Sequence, residues 1–166
     1  MIHALAGLLF VPLLICVLPD DAGAAQFPFS ARPIRDHVRV RADSTLYSPI
    51  LGELMADAPI RVVAERWDWY KISLPSEIPA YVHSSFLKQI SPTLAQVTAS
   101  GVNARAYASR EAPVVGTLSH EDRVEYSVQE GEWIKIKSLP KFSGYVHSQF
   151  VVPIPTAGGD LEHPQR

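Results

Sequence analysis

The chain has almost no cysteine and no strong charge of either sign. Among its 166 residues only Cys16 is a cysteine, and the formal net charge is −2. Cys16 lies in the apolar N-terminal segment, so the remainder offers no thiol for a disulfide, a nucleophile or a cysteine-based metal site. Because no basic face or acidic tract is present, we expect no nucleic-acid partner.

Long apolar runs are missing as well, except at the N-terminus. Ile2 to Leu18 is apolar apart from His3, and the small residues Ala22 to Ala25 follow. This pattern is typical of a secretory signal peptide spanning residues 1–25. The alternative is an uncleaved membrane anchor, but the run is shorter than the roughly 20 apolar residues that a spanning helix needs. We expect an exported protein, periplasmic rather than extracellular, with no stable membrane insertion after signal removal.

A helical period is also missing, and in its place the chain contains one unit twice. Shifted by 64 residues, fifteen of the 53 positions in residues 38–90 are identical to those in residues 102–154. Each copy contains short runs with strand-like alternation, separated by proline- and glycine-containing turns. The repeat predicts an all-β protein of two small barrels. We place the domains at 26–90 and 94–154, with a linker at 91–93 and a disordered tail at 155–166.

Four motifs recur in order in both copies. In the second they are Val102 to Arg105, Ala112 to Leu118, Gly131 to Ile136 and Gly144 to Phe150. Together they resemble the bacterial SH3-like (SH3b) domain, which implies two SH3-like β-barrels in tandem. Some glycines of the family pattern are replaced, by Asp57 and Glu121 at one turn, by Trp67 before a tryptophan, and by Ala80 in the last motif.

The twin histidines His83 and His147 raise the question of a metal or acid/base site. Each follows an inward-pointing valine and should therefore face outward. A metal site needs three or four converging ligands, and no such spacing recurs, so we expect surface histidines, no metal and no cofactor. The resemblance also suggests a cell-wall hydrolase, but no mature cysteine and no Gly-x-Ser-x-Gly motif is present. We expect no enzyme and no catalytic residues.

Aromatic residues are the remaining functional signal. Those that recur, such as Trp69 and Trp133, are expected to pack as framework. Those found in one copy only are candidates for ligand binding, because the fold does not require them. These candidates are Tyr47, Trp67, Tyr70 and Tyr107. The alternative is that they cover the seam between the two repeats.

The resemblance implies a non-catalytic binding or targeting module of the cell envelope, with peptidoglycan peptides or an envelope protein as the partner. The alternative is a structural adaptor or regulator that binds one fixed protein, such as a cell-wall enzyme. The residues themselves do not distinguish these two partners.

Overall fold

The structure is a computed structural model that describes residues 26–155. The signal peptide predicted at 1–25 and most of the predicted tail lie outside the described residues. Within the described range the chain forms fourteen strands and two 3-10 turns. The strands are β1 (Phe29–Pro33), β2 (Val38–Arg41), β3 (Ile50–Leu54), β4 (Ile60–Arg66), β5 (Trp69–Ser73), β6 (Pro79–His83), β7 (Leu87–Ser91), β8 (Leu94–Val97), β9 (Val102–Arg105), β10 (Val114–Leu118), β11 (Arg123–Glu130), β12 (Trp133–Lys137), β13 (Ser143–His147) and β14 (Val151–Pro153). The turns are Ser84–Phe86 and Ser148–Phe150.

These strands form two antiparallel seven-stranded sheets with the same order of equivalent strands. One sheet runs β14-β1-β4-β5-β13-β2-β3, and the other runs β7-β8-β11-β12-β6-β9-β10. Every strand of the first sheet has its counterpart about 64 residues away in the second. The expectation of an all-β protein of two small SH3-like barrels is thus confirmed.

The strands are nevertheless shared between the repeats. The last two strands of the second repeat, β13 and β14, pair with β5, β2 and β1 of the first repeat. The last two strands of the first repeat, β6 and β7, pair with β12, β9 and β8. One barrel, which we call the inserted barrel, is therefore the continuous segment 79–137. The other, which we call the outer barrel, combines residues 26–73 with 143–155.

This division differs from the domains predicted at 26–90 and 94–154. Residues 91–93, predicted as a linker, form the turn of the hairpin between β7 and β8 inside the inserted barrel. The connections between the barrels are instead residues 74–78 and 138–142, which we call the crossing segments. The repeat boundaries are defined by sequence similarity between the two copies, whereas the barrel boundaries are defined by strand pairing.

The two crossing segments lie side by side. The backbone N–H of Leu74 donates to the carbonyl of Phe142 at 2.9 Å, and Ser138 Oγ donates to the carbonyl of Ile78 at 2.5 Å. Leu74, Ile78 and Phe142 are buried, and the buried apolar residues of both barrels form one continuous cluster. The barrels are therefore held by two covalent connections and a shared core.

Three turn positions keep a left-handed backbone in both barrels: His37 and Gly101, Asp57 and Glu121, and Trp67 and Gly131. Trp67 has φ +53° where the second repeat has Gly131 at +61°. At the turn where the sequence has lost glycine in both copies, Asp57 and Glu121 have φ +63° and +70°. Glycine adopts this region without a steric penalty and other residues do not. The turn shapes are thus imposed by strand pairing even where the residue disfavours them.

Candidate functional site in two equivalent grooves

One barrel carries a groove beside Trp69 and the other beside the equivalent Trp133, and the two grooves are built largely from equivalent positions. The groove of the inserted barrel has a volume of about 400 Å³, and that of the outer barrel about 490 Å³. The first is lined by His83, Ser85, Phe86, Ser100, Gly101, Val102, Asn103, Arg105, Arg110 and Trp133. The second is lined by Arg35, Asp36, His37, Val38, Arg39, Arg41, Leu46, Trp69, His147 and Phe150.

A tryptophan, a histidine and a phenylalanine form the apolar wall of each groove. In the inserted barrel the ring of His83 lies 5.5 Å from that of Trp133 and 6.1 Å from that of Phe86. In the outer barrel the strand exchange brings His147 opposite Trp69 in the register of β13 and β5. Their ring centroids are 5.1 Å apart. The outer groove therefore combines residues from both sequence repeats.

The histidines also fix the backbone that carries the phenylalanines. Nδ1 of His83 accepts from the backbone N–H of Ser85 at 3.4 Å, and Nδ1 of His147 accepts from that of Gln149 at the same distance. Each histidine thus caps the 3-10 turn that ends in Phe86 or Phe150. An accepting Nδ1 places the proton of the neutral ring on Nε2.

The expectation of outward-facing surface histidines needs correction. The side chain of His83 is only 18% exposed, because the aromatic rings cover it. Its Nε2 is buried with no hydrogen-bond partner among the described residues, and Glu132 Oε2 lies 3.6 Å away. Alternation along β6 predicts the side of the sheet correctly, but it says nothing about rings from neighbouring strands that lie over that side.

An arginine side chain stabilises the loop at the rim of each groove. Arg41 donates to the carbonyl of Ser48 at 2.8 Å, and Arg105 donates to the carbonyl of Ala112 at 2.6 Å. These bonds tie the long loop after β2 or β9 to its strand. Away from the grooves, burial and then the charge of Glu130 raise the pKa of Tyr81. Its phenol therefore stays protonated at neutral pH.

The grooves differ at several equivalent positions, and one of these differences changes how far the phenylalanine is exposed. In the outer barrel the guanidinium carbon of Arg35 lies 4.0 Å above the ring of Phe150. The equivalent residue in the inserted barrel is Ala99, and Phe86 there remains 41% exposed. A cation over an aromatic face is an attractive contact, so Arg35 covers an apolar surface that the inserted barrel leaves open.

The four candidates from the sequence lie elsewhere, outside the lining of either groove. Tyr47 is 97% exposed and Trp67 is 73% exposed, while Tyr107 is 45% exposed. Tyr70 is half-buried on β5, and its ring packs edge-on against that of Phe29 with the centroids 5.7 Å apart. This packing explains the presence of Tyr70 without a role in ligand binding.

Asp43 and Arg66 connect the surroundings of Tyr47 and Trp67. Arg66 forms an ion pair with Asp43 at 3.5 Å and stacks over Trp67 at 4.6 Å. Asp43 and Tyr47 line a shallow crevice of about 490 Å³ that also contacts Pro113 and Val114 of the inserted barrel. The structure thus leaves these aromatic side chains open and does not bury them in a seam.

Sequence reasoning missed the groove residues because it assigned recurring aromatics to packing. Trp69 is indeed buried, but Phe86 and Phe150 follow a Ser-x pair on a 3-10 turn, where no strand alternation directs them inward. A recurring phenylalanine outside any alternating run was the available signal. The two copies share the grooves, so function need not lie where they disagree.

Within residues 26–155 no group of three histidine, cysteine or acidic residues could hold a metal ion. The same part of the chain contains no helix of the length and apolarity required to cross a membrane. The candidate site is therefore described by aromatic rings, arginines and backbone groups.

Two small antiparallel barrels, each with an aromatic groove between its long loop and its 3-10 turn, define an SH3-like class of protein. The family described as "Bacterial SH3 domain" matches residues 36–88 and 100–152. The chain belongs to this family, as the resemblance of the repeats implied. Bacterial SH3 domains are typically non-catalytic binding modules, often for the cell wall. No curated protein matches the chain.

Proposed function

We propose that the protein is an exported, non-catalytic module of the cell envelope that binds peptides of the peptidoglycan in its two grooves. The observation that carries this proposal is the presence of two equivalent aromatic grooves, each with a tryptophan, a histidine and a phenylalanine. Concave sites with aromatic walls and a few polar groups are the usual form of ligand sites.

Export follows from the apolar segment Ile2 to Leu18 and the small residues after it. The periplasm is the compartment we propose, since a wall-binding module would find its ligand there. Fractionation of cells that produce the full-length protein tests this step. Recovery of the uncleaved protein from the cytoplasm would contradict it.

Retention of the mature chain, residues 26–166, on purified sacculi tests the binding step. Phe86→Ala removes an exposed ring from the wall of the inserted groove and should weaken retention several-fold. Trp67→Ala is the matched control, because it removes an exposed aromatic ring that lies outside both grooves. Unchanged retention of Phe86→Ala would contradict a role for the inserted groove.

The second candidate function is an adaptor that binds one fixed envelope protein, such as a wall enzyme. The exposed Tyr47 and Trp67 favour it, because aromatic side chains often anchor protein interfaces. Loss of a co-purifying envelope protein on Trp67→Ala, with sacculus retention unchanged, would support this alternative.

A further inference from the structure

Positive charge is concentrated in the two grooves although the whole chain is negative. The outer groove is lined by three arginines and one aspartate, and the inserted groove by two arginines and no acidic residue. Each lining thus carries a net charge of +2, whereas the chain carries −2. A positively charged cleft attracts anionic ligands.

Most groove arginines are without an ion pair among the described residues, as are Arg61 and Arg123 outside the grooves, whereas two other surface arginines are paired. Arg32 and Arg66 form ion pairs with Asp57 and Asp43. Of the five arginines that line the grooves, Arg39 alone has a carboxylate within 4.0 Å among the described residues. Arg41 and Arg105 donate to backbone carbonyls, which leaves their charge without a counter-ion.

Arg35 and Arg110 are the arginines best placed to take an anion. Both are exposed, and each lines a groove together with the tryptophan and phenylalanine of its barrel. In the outer barrel Arg35 already lies 4.0 Å above Phe150. A guanidinium beside an aromatic wall can donate to a carboxylate while the wall covers an adjacent apolar group.

We propose that each groove binds a peptide through a free carboxylate, which Arg110 holds in the inserted barrel and Arg35 in the outer barrel. In the inserted barrel the exposed ring of Phe86 takes the apolar part next to that carboxylate, whereas in the outer barrel Arg35 itself lies over Phe150. This inference rests on the proposed binding of wall peptides and names the chemical group of the peptide that the grooves recognise. Phosphate-containing ligands are recognised by arginine clusters. In the inserted groove Arg110 is accompanied only by Arg105, whose guanidinium already donates to a carbonyl, so a carboxylate fits that groove better.

The experiment compares native sacculi with sacculi whose carboxylates have been converted to methylamides by carbodiimide coupling. The mature chain should bind native sacculi at least tenfold more tightly than amidated sacculi, because charge-assisted hydrogen bonds are lost. Equal binding to both would overturn the inference while leaving wall binding in place. A soluble alanyl-γ-glutamyl-diaminopimelate peptide and its amidated form give the same comparison in solution.

Arg110→Gln and Arg35→Gln locate the contact. Each should lower affinity for native sacculi, and the two together should abolish the preference over amidated sacculi. Arg123→Gln is the matched control, an exposed arginine on β11 outside both grooves. Thermal unfolding confirms that the variants are folded. If the double variant keeps the full preference, the arginine assignment is overturned.

The outcomes also separate this inference from the proposed function. Carboxylate-dependent binding to the soluble peptide with no binding to native sacculi would support the inference and overturn the wall as the target. Absence of binding to either probe would overturn both.

Discussion

The outer and inserted barrels have the same strand order, yet each is closed by the final strands of the other repeat. The inserted barrel is one continuous segment, 79–137, whereas the outer barrel is completed by residues 143–155 only after the insert has been traversed. Backbone pairing alone does not favour either arrangement, because equivalent strands present the same hydrogen-bonding groups. The choice must come from side chains.

Side-chain size at two facing positions explains the choice. In the outer barrel a Cβ at Gly144 would lie 2.6 Å from Val40 Cγ1, so this barrel needs glycine in its closing strand. The equivalent positions of the inserted barrel hold Ala104 and Ala80. Closure within each repeat would instead pair Val40 with Ala80, which is too crowded, and Ala104 with Gly144, which leaves a gap. The exchange pairs Val40 with Gly144 and Ala104 with Ala80, so the combined side-chain size is similar in the two barrels, as close packing requires.

The largest effect is expected from cysteine pairs that report which strand lies beside β5. Lys71 is opposite Tyr145 in the observed register. In a chain that starts at residue 26 and therefore lacks Cys16, Lys71→Cys with Tyr145→Cys should form a disulfide under oxidation. Opposed residues of paired strands meet the geometry of a disulfide. Lys71→Cys with Tyr81→Cys is the control, and cross-linking of that pair instead would show closure within the repeat.

Next in size is the loss of the side chains that anchor the crossing segments. Phe142 is fully buried, and its ring lies so close to Gly116 that an added Cβ there would be 2.2 Å from Cδ1. Phe142→Ala should lower the free energy of unfolding by about 3–5 kcal/mol, measured by urea denaturation. Ile78→Ala, its equivalent, should cost slightly less. A loss below about 1 kcal/mol would show that the segment does not anchor the pair.

A smaller effect tests the size match directly. Gly144→Ala should destabilise the protein by about 1–3 kcal/mol through overcrowding, and Val40→Ala in the same chain should relieve part of that loss. A double-mutant cycle on denaturation free energies measures the coupling. Ala80→Gly in the inserted barrel is the control and should cost about 0.5–1 kcal/mol. Simple additivity of Gly144→Ala and Val40→Ala would contradict the size argument.

Substitutions at the equivalent left-handed turns should change the free energy of unfolding in opposite directions in the two barrels. Trp67→Gly should raise the free energy of unfolding by about 1 kcal/mol, because glycine removes the strain of φ +53°. Gly131→Ala should lower it by a similar amount. Thermal and urea unfolding measure both. If Trp67→Gly is destabilising instead, the indole contributes packing that its 73% exposure does not indicate.

The smallest effect concerns an ion pair found in one barrel only. Asp122 accepts a hydrogen bond from the Ser119 N–H at 2.7 Å and forms an ion pair with Lys141 of a crossing segment. Both contacts lower the pKa of Asp122, and the contact with Lys141 has the larger effect. Asp122→Asn should destabilise by no more than about 1 kcal/mol at neutral pH. A lowered pKa stabilises the fold above the unfolded value, roughly 4, and that contribution disappears as the pH falls through the folded value. The difference between wild type and variant should therefore shrink at acid pH.

Several features could be predicted from the residues because they depend on local pattern. The alternation of apolar and polar residues within 37–41 and 69–73 is typical of strands, and the observed strands β2 and β5 lie at these places. Presence in one copy only singled out Tyr47 and Trp67 but left open whether they are exposed or cover the seam, and both are open to solvent. The grooves could not be deduced in the same way, since each unites residues from the start, middle and end of a barrel.

The 64-residue repeat by itself determined that the chain forms two small β-barrels, because each copy carries a full set of strands and turns, and the resemblance of its motifs indicated the SH3-like type. Only the tertiary structure decided which strands close which barrel. That decision depends on facing side chains such as Val40 and Gly144, which are 104 positions apart and belong to different repeats. Contacts over such a separation have no periodic signature in a sequence. The outer groove, where Trp69 meets His147 and Phe150, exists because of that decision.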